Sequence, residues 1–141
     1  MIFVDTGFFY ALASEDDADH ERCREVFETL DQKRLPDLFL TTNHVVMETI
    51  RLACRNSSHA AAVNMGRQLY GEALARIHWT NPKEEKDAFE YLARHTDKRY
   101  SPADCVSFVV MDAYGITEAL TIDRDFTHRF VTRPGPRPRP R

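Results

Sequence analysis

Cysteine is scarce and unpatterned in this chain: Cys23, Cys54 and Cys105 lie far apart, form no CxxC and, being three, cannot all pair. That excludes a fully paired disulfide framework and fits a reducing cytoplasm. Glycine is nearly as sparse, five in 141 residues, and nowhere builds a phosphate-cradling loop. The six histidines contain no paired metal-ligand motif. His44 and Glu48 are four apart on a predicted helix, but no second histidine completes a zinc set. No apolar run approaches the length of a membrane span, so no membrane association is expected. The amino terminus enters a strand-like run at once, so no cleavable leader is expected. The last nine residues, Arg133-Pro134-Gly135-Pro136-Arg137-Pro138-Arg139-Pro140-Arg141, carry four arginines and no carboxylate.

Removing those four arginines takes the formal charge from −3 to −7. An acidic body repels nucleic acid unless metal ions neutralise it locally or basic segments make the contact. The tail is therefore either a solvated end or an electrostatic arm, and its alternating prolines favour an extended chain. The remaining composition, 43% hydrophobic and 29% charged, is that of one globular domain. We place that domain at residues 1–132 and the tail at 133–141.

Hydrophobic periodicity predicts short strands alternating with helices. Strands are expected at Met1–Asp5, Leu38–Thr41, Arg76–Thr80, Glu118–Ile122 and Arg129–Thr132. Helices are expected at Gly7–Ala13, Glu21–Leu30, Asn43–Cys54 and Ala60–Glu72, from Pro82 to about His95, and from Pro102 to about Ala113 with Gly115 as its stop. This alternation implies an α/β fold with a mainly parallel sheet covered on both faces.

Four acids sit where a charge is locally odd. Asp5 and Asp123 each end an apolar run, Met1-Ile2-Phe3-Val4 and Ala119-Leu120-Thr121-Ile122. Ligands of open α/β sheets bind beyond such strand ends, although either acid also suits a helix N-cap. Glu48 lies among Val45, Val46, Met47 and Ile50, and its bland reading is a surface pair with Arg51. Asp104 fits the third position of a capping box opened by Ser101 and Pro102, yet it shares a helix face with Phe108 and Met111. All four can reach one edge of the sheet. A carboxylate pair about 4 Å apart costs ~4 kcal/mol at an effective dielectric near 20, so either a pKa rises or a cation binds. Oxygen-only donors suit Mg²⁺ or Mn²⁺ rather than zinc.

The motifs around these acids resemble the PIN-domain ribonucleases, above all the small VapC-type toxins of prokaryotic toxin–antitoxin pairs. The resemblance rests on Ile2-Phe3-Val4-Asp5-Thr6, Val45-Val46-Met47-Glu48, Ser101-Pro102-Ala103-Asp104-Cys105-Val106-Ser107 and Thr121-Ile122-Asp123-Arg124-Asp125-Phe126. In order and spacing it runs from Met1 to about Val131. It implies a three-layer α/β/α fold with a five-stranded sheet and metal-dependent cleavage of RNA. It further implies a cognate antitoxin and a homodimer. Asp5, Glu48, Asp104 and Asp123 would hold one or two Mg²⁺ or Mn²⁺ ions, with Asp125 as a secondary candidate and Thr6 and Ser107 as supporting hydroxyls. Two departures stand out: Gly7 where the family often has a small polar residue, and the Arg/Pro tail.

Rival readings stay open at this stage. One is a housekeeping RNA-processing nuclease of the same family. Another is phosphoryl transfer through Asp5, for which a second aspartate is wanted at position 7. The third is a non-catalytic RNA- or protein-binding module, against which concentrated negative charge argues.

Overall fold

The computed structural model describes all 141 residues. Its element order is β1 (Ile2–Val4), α1 (Thr6–Ala13), α2 (His20–Glu28), β2 (Phe39–Thr42), α3 (Asn43–Asn56), α4 (His59–Tyr70), β3 (Arg76–His78), α5 (Pro82–Arg94), α6 (Pro102–Tyr114), β4 (Glu118–Thr121) and β5 (Val131–Pro134). A 3-10 turn, Arg124–His128, joins β4 to β5, and another covers Gln32–Arg34. The strands form one sheet in the order β3-β2-β1-β4-β5, and every pairing is parallel.

The expected helices and strands are all present, with boundaries shifted by at most two residues. Local chemistry explains the helix ends. Thr42, Ser58 and Asn81 accept from the backbone N–H three residues on, as N-caps do. Gly115 takes φ 67° at the end of α6, a left-handed conformation that favours glycine.

Strand order decides where a ligand can sit. From β1 the chain moves by helical crossovers to β2 and then β3, on one side. It then returns past β1 to β4 on the other. The right-handedness of such crossovers puts α1–α4 on one face and α5–α6 on the opposite face. Consistent with this, α1 and α2 touch β4 and β5, while α5 packs on α6 and α6 on β2. The reversal falls between β1 and β4, so a crevice opens beyond their carboxyl ends. Asp5 and Asp123 follow those two strands.

The sheet is nearly solvent-free at its centre: Phe3, Val4, Ala119 and Leu120 are fully buried. An aromatic cluster locks the far side of the crevice. Phe108 of α6 meets Tyr100 edge-on at 5.1 Å and Phe126 at 5.1 Å, and Arg129 lies over Phe130 at 5.0 Å. This cluster ties the start of α6, which carries Asp104, to the turn that carries Asp125. No helix is long and apolar enough to cross a membrane.

The chain does not leave the sheet at Thr132. β5 continues through Arg133 and Pro134, Arg133 pairs with Glu118, and the Gly135 N–H donates to the Thr121 carbonyl at 3.0 Å. Beyond it, Arg137 donates from Nε to Asp19 at 2.8 Å and also reaches the Ala18 carbonyl. The start of the Arg/Pro segment is thus bound to the body of the protein.

Candidate metal centre

Asp5, Thr6, Gly7, Glu48, Asp104, Ile122 and Asp123 line one cleft of about 360 Å³. The four acids, spread over most of the chain, therefore meet at the switch point. Asp104, Asp123 and Asp125 each offer a carboxylate oxygen within 4.8 Å of the others. Asp125 joins Asp123 in this cluster and does not displace it. A larger hollow, about 480 Å³ beside Tyr10 and Ser57, contains Asp16 and Asp17 but none of these acids.

Each acid is positioned by a distinct local device. Asp5 stands at the N-cap position of α1 yet makes no capping bond with its side chain. Its Oδ2 accepts from the Thr121 hydroxyl at 2.9 Å, and the same hydroxyl accepts from the Asp123 N–H at 2.9 Å. One side chain on β4 therefore joins the two strand-end acids. Asp123 accepts from the Asp125 N–H at 2.9 Å, which closes the tight turn that brings Asp125 inward.

Asp104 forms the capping box with Ser101, each side chain accepting from the other's backbone N–H at 3.0 Å. It is also only 8% exposed and faces the cleft, so both sequence readings hold together. Glu48 is the exposed member. Its Oε2 accepts from Thr6 at 3.1 Å rather than from Arg51. Thr6 thus holds Glu48 toward the cleft, whereas the Ser107 hydroxyl donates to the Ala103 carbonyl of its own helix at 3.0 Å and touches no acid.

Burial and crowding act together on the carboxylates. Burial, reinforced by the charge of Asp104, raises Asp5 to about 7, although Thr6 and Thr121 pull against it. Burial raises Asp104 to about 6 against its bonds to Ser101, and the Asp123 charge adds to the rise. Asp125 is raised by burial and then by Asp123. Without a counter-ion the site holds protons that free carboxyls would release.

The donor set fits a hard divalent cation, because every candidate ligand is a carboxylate oxygen. No softer donor competes. His44 turns away to Glu85, 2.5 Å from its Nε2, and buried Cys105 has its thiol pushed up to about 11, chiefly by burial. A zinc set built on His44 and Glu48 is not formed. At position 7, a Cβ would lie 2.7 Å from Cγ1 of Ile122. Position 7 holds glycine and Ile122 fills the space beside it, so the second aspartate that the aspartyl-phosphate reading wants is absent.

Two functional contributions escaped sequence reading. Thr121 was visible only as part of a Thr-Ile-Asp motif, and its bridging role depends on the β1–β4 register. Gly7 permits α1 to lie against Ile122, and so brings the Asp5 turn close to the Asp123 turn.

Comparison with known proteins follows the same line. A family model described as PIN domain matches residues 2–129. The chain is 35% identical over 127 residues to the 23S rRNA-specific endonuclease VapC20 of two Mycobacterium tuberculosis strains, covering 90% of this chain and 92% of that protein. The crystal structure of M. tuberculosis VapC20, described as a sarcin-ricin loop cleaving toxin, matches with a TM-score of 0.82 and 33% identity over 91% of this chain and 94% of that one. FitAcB from Neisseria gonorrhoeae shares the fold at a TM-score of 0.62 and 15% identity, over 95% and 98% of the two chains.

Proposed function

The chain belongs to the PIN-domain family, and from that premise we propose that it is a Mg²⁺- or Mn²⁺-dependent endoribonuclease, the toxin of a toxin–antitoxin pair. The observation that carries this reading is the convergence of Asp5, Glu48, Asp104 and Asp123 on one cleft, with Asp125 against two of them. These residues would hold the metal. The 35% identity to a 23S rRNA-specific endonuclease supports ribosomal RNA as the substrate to try first. The toxin reading also implies two protein partners, a cognate antitoxin and a second copy of the chain.

A bound divalent ion supplies Lewis acidity, which ionises water and stabilises charge on the attacking and leaving oxygens of a phosphodiester. The protein's own part is orientation. Thr121 fixes Asp5, the backbone of the 123–125 turn fixes Asp123, and Ser101 fixes Asp104. Thr6 holds Oε2 of Glu48, which leaves Oε1 to accept from water. No side-chain nucleophile is required, in keeping with a site that contains no serine, cysteine or histidine beside a base.

The test is replacement of each acid by its amide. Asp5→Asn, Glu48→Gln, Asp104→Asn and Asp123→Asn should each reduce RNA cleavage by roughly a hundredfold or more while circular dichroism stays unchanged. Asp5→Asn cleaving as fast as the parent would overturn the site.

A further inference from the structure

A cleft lined by four acids, with Asp125 against two of them, does not hold a polyanion by itself. Even with metal bound, phosphates on either side of the reacting one need cations of their own. The helix that supplies Glu48 carries two. Arg51 and Arg55 are four residues apart on α3, so they share a face, and both are exposed. Together with Thr6, Glu48 and Leu52 they line a polar depression of about 160 Å³. Thr6 and Glu48 also line the acidic cleft, so the two spaces adjoin.

Arg51 lines a third depression as well, of about 370 Å³, together with Glu48, His44, Met47 and Ser101. Glu48 is common to all three. A trough therefore runs out of the cleft over Glu48, and Arg51 stands in its wall.

The pairing pattern leaves these guanidinium groups available. Glu48, three residues before Arg51, is the natural helical partner for it, but it is held by Thr6. His44, on the same helix, takes Glu85. Neither Arg51 nor Arg55 has a carboxylate or carbonyl partner. A bland account exists: Arg55, in the last turn of α3, complements the helix dipole, and Arg51 is a solvated surface residue. That account gives no reason for both to line a polar hollow continuous with the acidic cleft.

We infer that Arg51 and Arg55 form a subsite for a backbone phosphate of RNA next to the scissile one. The inference rests on the ribonuclease reading and adds to it the side on which the strand leaves the cleft. Guanidinium groups are suited to this by their planar, bidentate donors. The subsite sets binding and register of the strand, and the acids carry out the cleavage.

Arg51→Gln, Arg55→Gln and the double variant should be compared with the parent on a synthetic RNA stem-loop in Mn²⁺ over a range of salt. Each single change should raise KM by roughly three- to tenfold and leave kcat within about twofold. The double change should also reduce the salt slope of kcat/KM by ~0.7, the value for one phosphate contact on a single strand, and each single change by part of that. Arg51→Lys and Arg55→Lys should restore the slope, since a lysine keeps the charge. Unchanged KM and slope in the double glutamine variant would overturn the subsite and leave the ribonuclease reading intact. A lower melting temperature with an unchanged slope would also overturn it, in favour of a structural role at the helix end. A parent protein that cleaves no RNA in Mg²⁺ or Mn²⁺ would overturn the ribonuclease reading and the subsite with it.

Discussion

The Thr121 hydroxyl donates to Oδ2 of Asp5 over 2.9 Å while accepting from the Asp123 N–H over the same distance. These two contacts couple the ends of β1 and β4 across the switch point of the sheet. Donation to the ionised form of Asp5 opposes the burial that raises its pKa. A threonine on a neighbouring strand is therefore part of what keeps Asp5 available to a cation.

Thr121→Val keeps the shape and removes both contacts. Asp5 loses a donor, its pKa rises further, and the Asp123 N–H is left without an acceptor at a cost of ~1–3 kcal/mol. Outer-shell losses of this kind lower metal affinity or activity about ten- to a hundredfold. Thr121→Ser should retain most of both. Mn²⁺ titration by calorimetry checks the affinity, and an unaltered dissociation constant in Thr121→Val would exclude the coupling.

Acid pKa values raised by folding have a definite consequence for stability. Asp5 rises from 3.8 to about 7 and Asp104 to about 6. Between those limits and the unfolded values, the folded state binds more protons than the unfolded one. Stability from these groups is thus full below about pH 4 and is lost as pH rises through about 6 to 7. The loss for the pair is on the order of a few kcal/mol. In EDTA, the melting temperature should fall as pH rises from about 4 to about 7. A bound divalent ion replaces those protons, so Mg²⁺ or Mn²⁺ should raise the melting temperature most at the alkaline end. Scanning fluorimetry with and without metal measures both trends. A metal-induced rise that is larger at the acidic end would contradict the assignment.

Much of this arrangement is legible in the sequence because it is written locally. Strand-end acids and capping signals need only near neighbours, and Asp104 can be read as both cap and site residue from Ser101-Pro102-Ala103-Asp104. Glu48 was harder. Its apolar neighbours suggest partial burial, but Val45, Val46, Thr49 and Ala53 form the inward face of α3 and leave Met47 and Glu48 exposed. Contacts between distant segments were not legible. The Thr121–Asp5 bond spans 116 residues and depends on strand register, which periodicity does not fix. The contact of Arg137 with Asp19 spans 118, and an Arg/Pro composition names no partner.

Gly7 illustrates a residue whose value lies in what is absent. A Cβ there would lie 2.7 Å from Cγ1 and 3.1 Å from Cδ1 of Ile122. Gly7→Ala should force Ile122 aside and cost ~1–3 kcal/mol as overpacking. Because Ile122 precedes Asp123, cleavage should fall more than stability alone explains. The matched control is the double variant Gly7→Ala, Ile122→Val, which should recover part of both. Thermal melts and initial rates at saturating Mn²⁺ separate the two effects. A single Gly7→Ala variant as stable and active as the parent would show that the close approach is dispensable.

The tail calls for a truncation chosen by the structure. Cutting after Thr132 removes Arg133 and Pro134 from β5, along with the Arg133–Glu118 pair and the Arg22 bonds to the carbonyls of Pro134 and Gly135. That protein should melt lower, and its loss of RNA binding would be ambiguous. Cutting after Pro138 spares all of these, as well as the Arg137 contacts with Asp19 and the Arg124 bond to the Arg137 carbonyl. Only Pro140 and the exposed Arg139 and Arg141 are lost. The bound root of the tail lies beside the 123–125 turn, so these two arginines start from the edge of the sheet that carries the acids. If both meet RNA phosphates, the shorter protein should bind RNA more weakly at low salt and lose ~1.4 from the salt slope, about 0.7 for each contact. The cleavage rate of bound substrate should stay nearly constant, because the acids are untouched. Fluorescence anisotropy of a labelled RNA stem-loop over a salt series measures the slope, and single-turnover cleavage measures the rate. Equal slopes and equal affinities for the two proteins would rule out the arm and leave Arg139 and Arg141 as solvated charge.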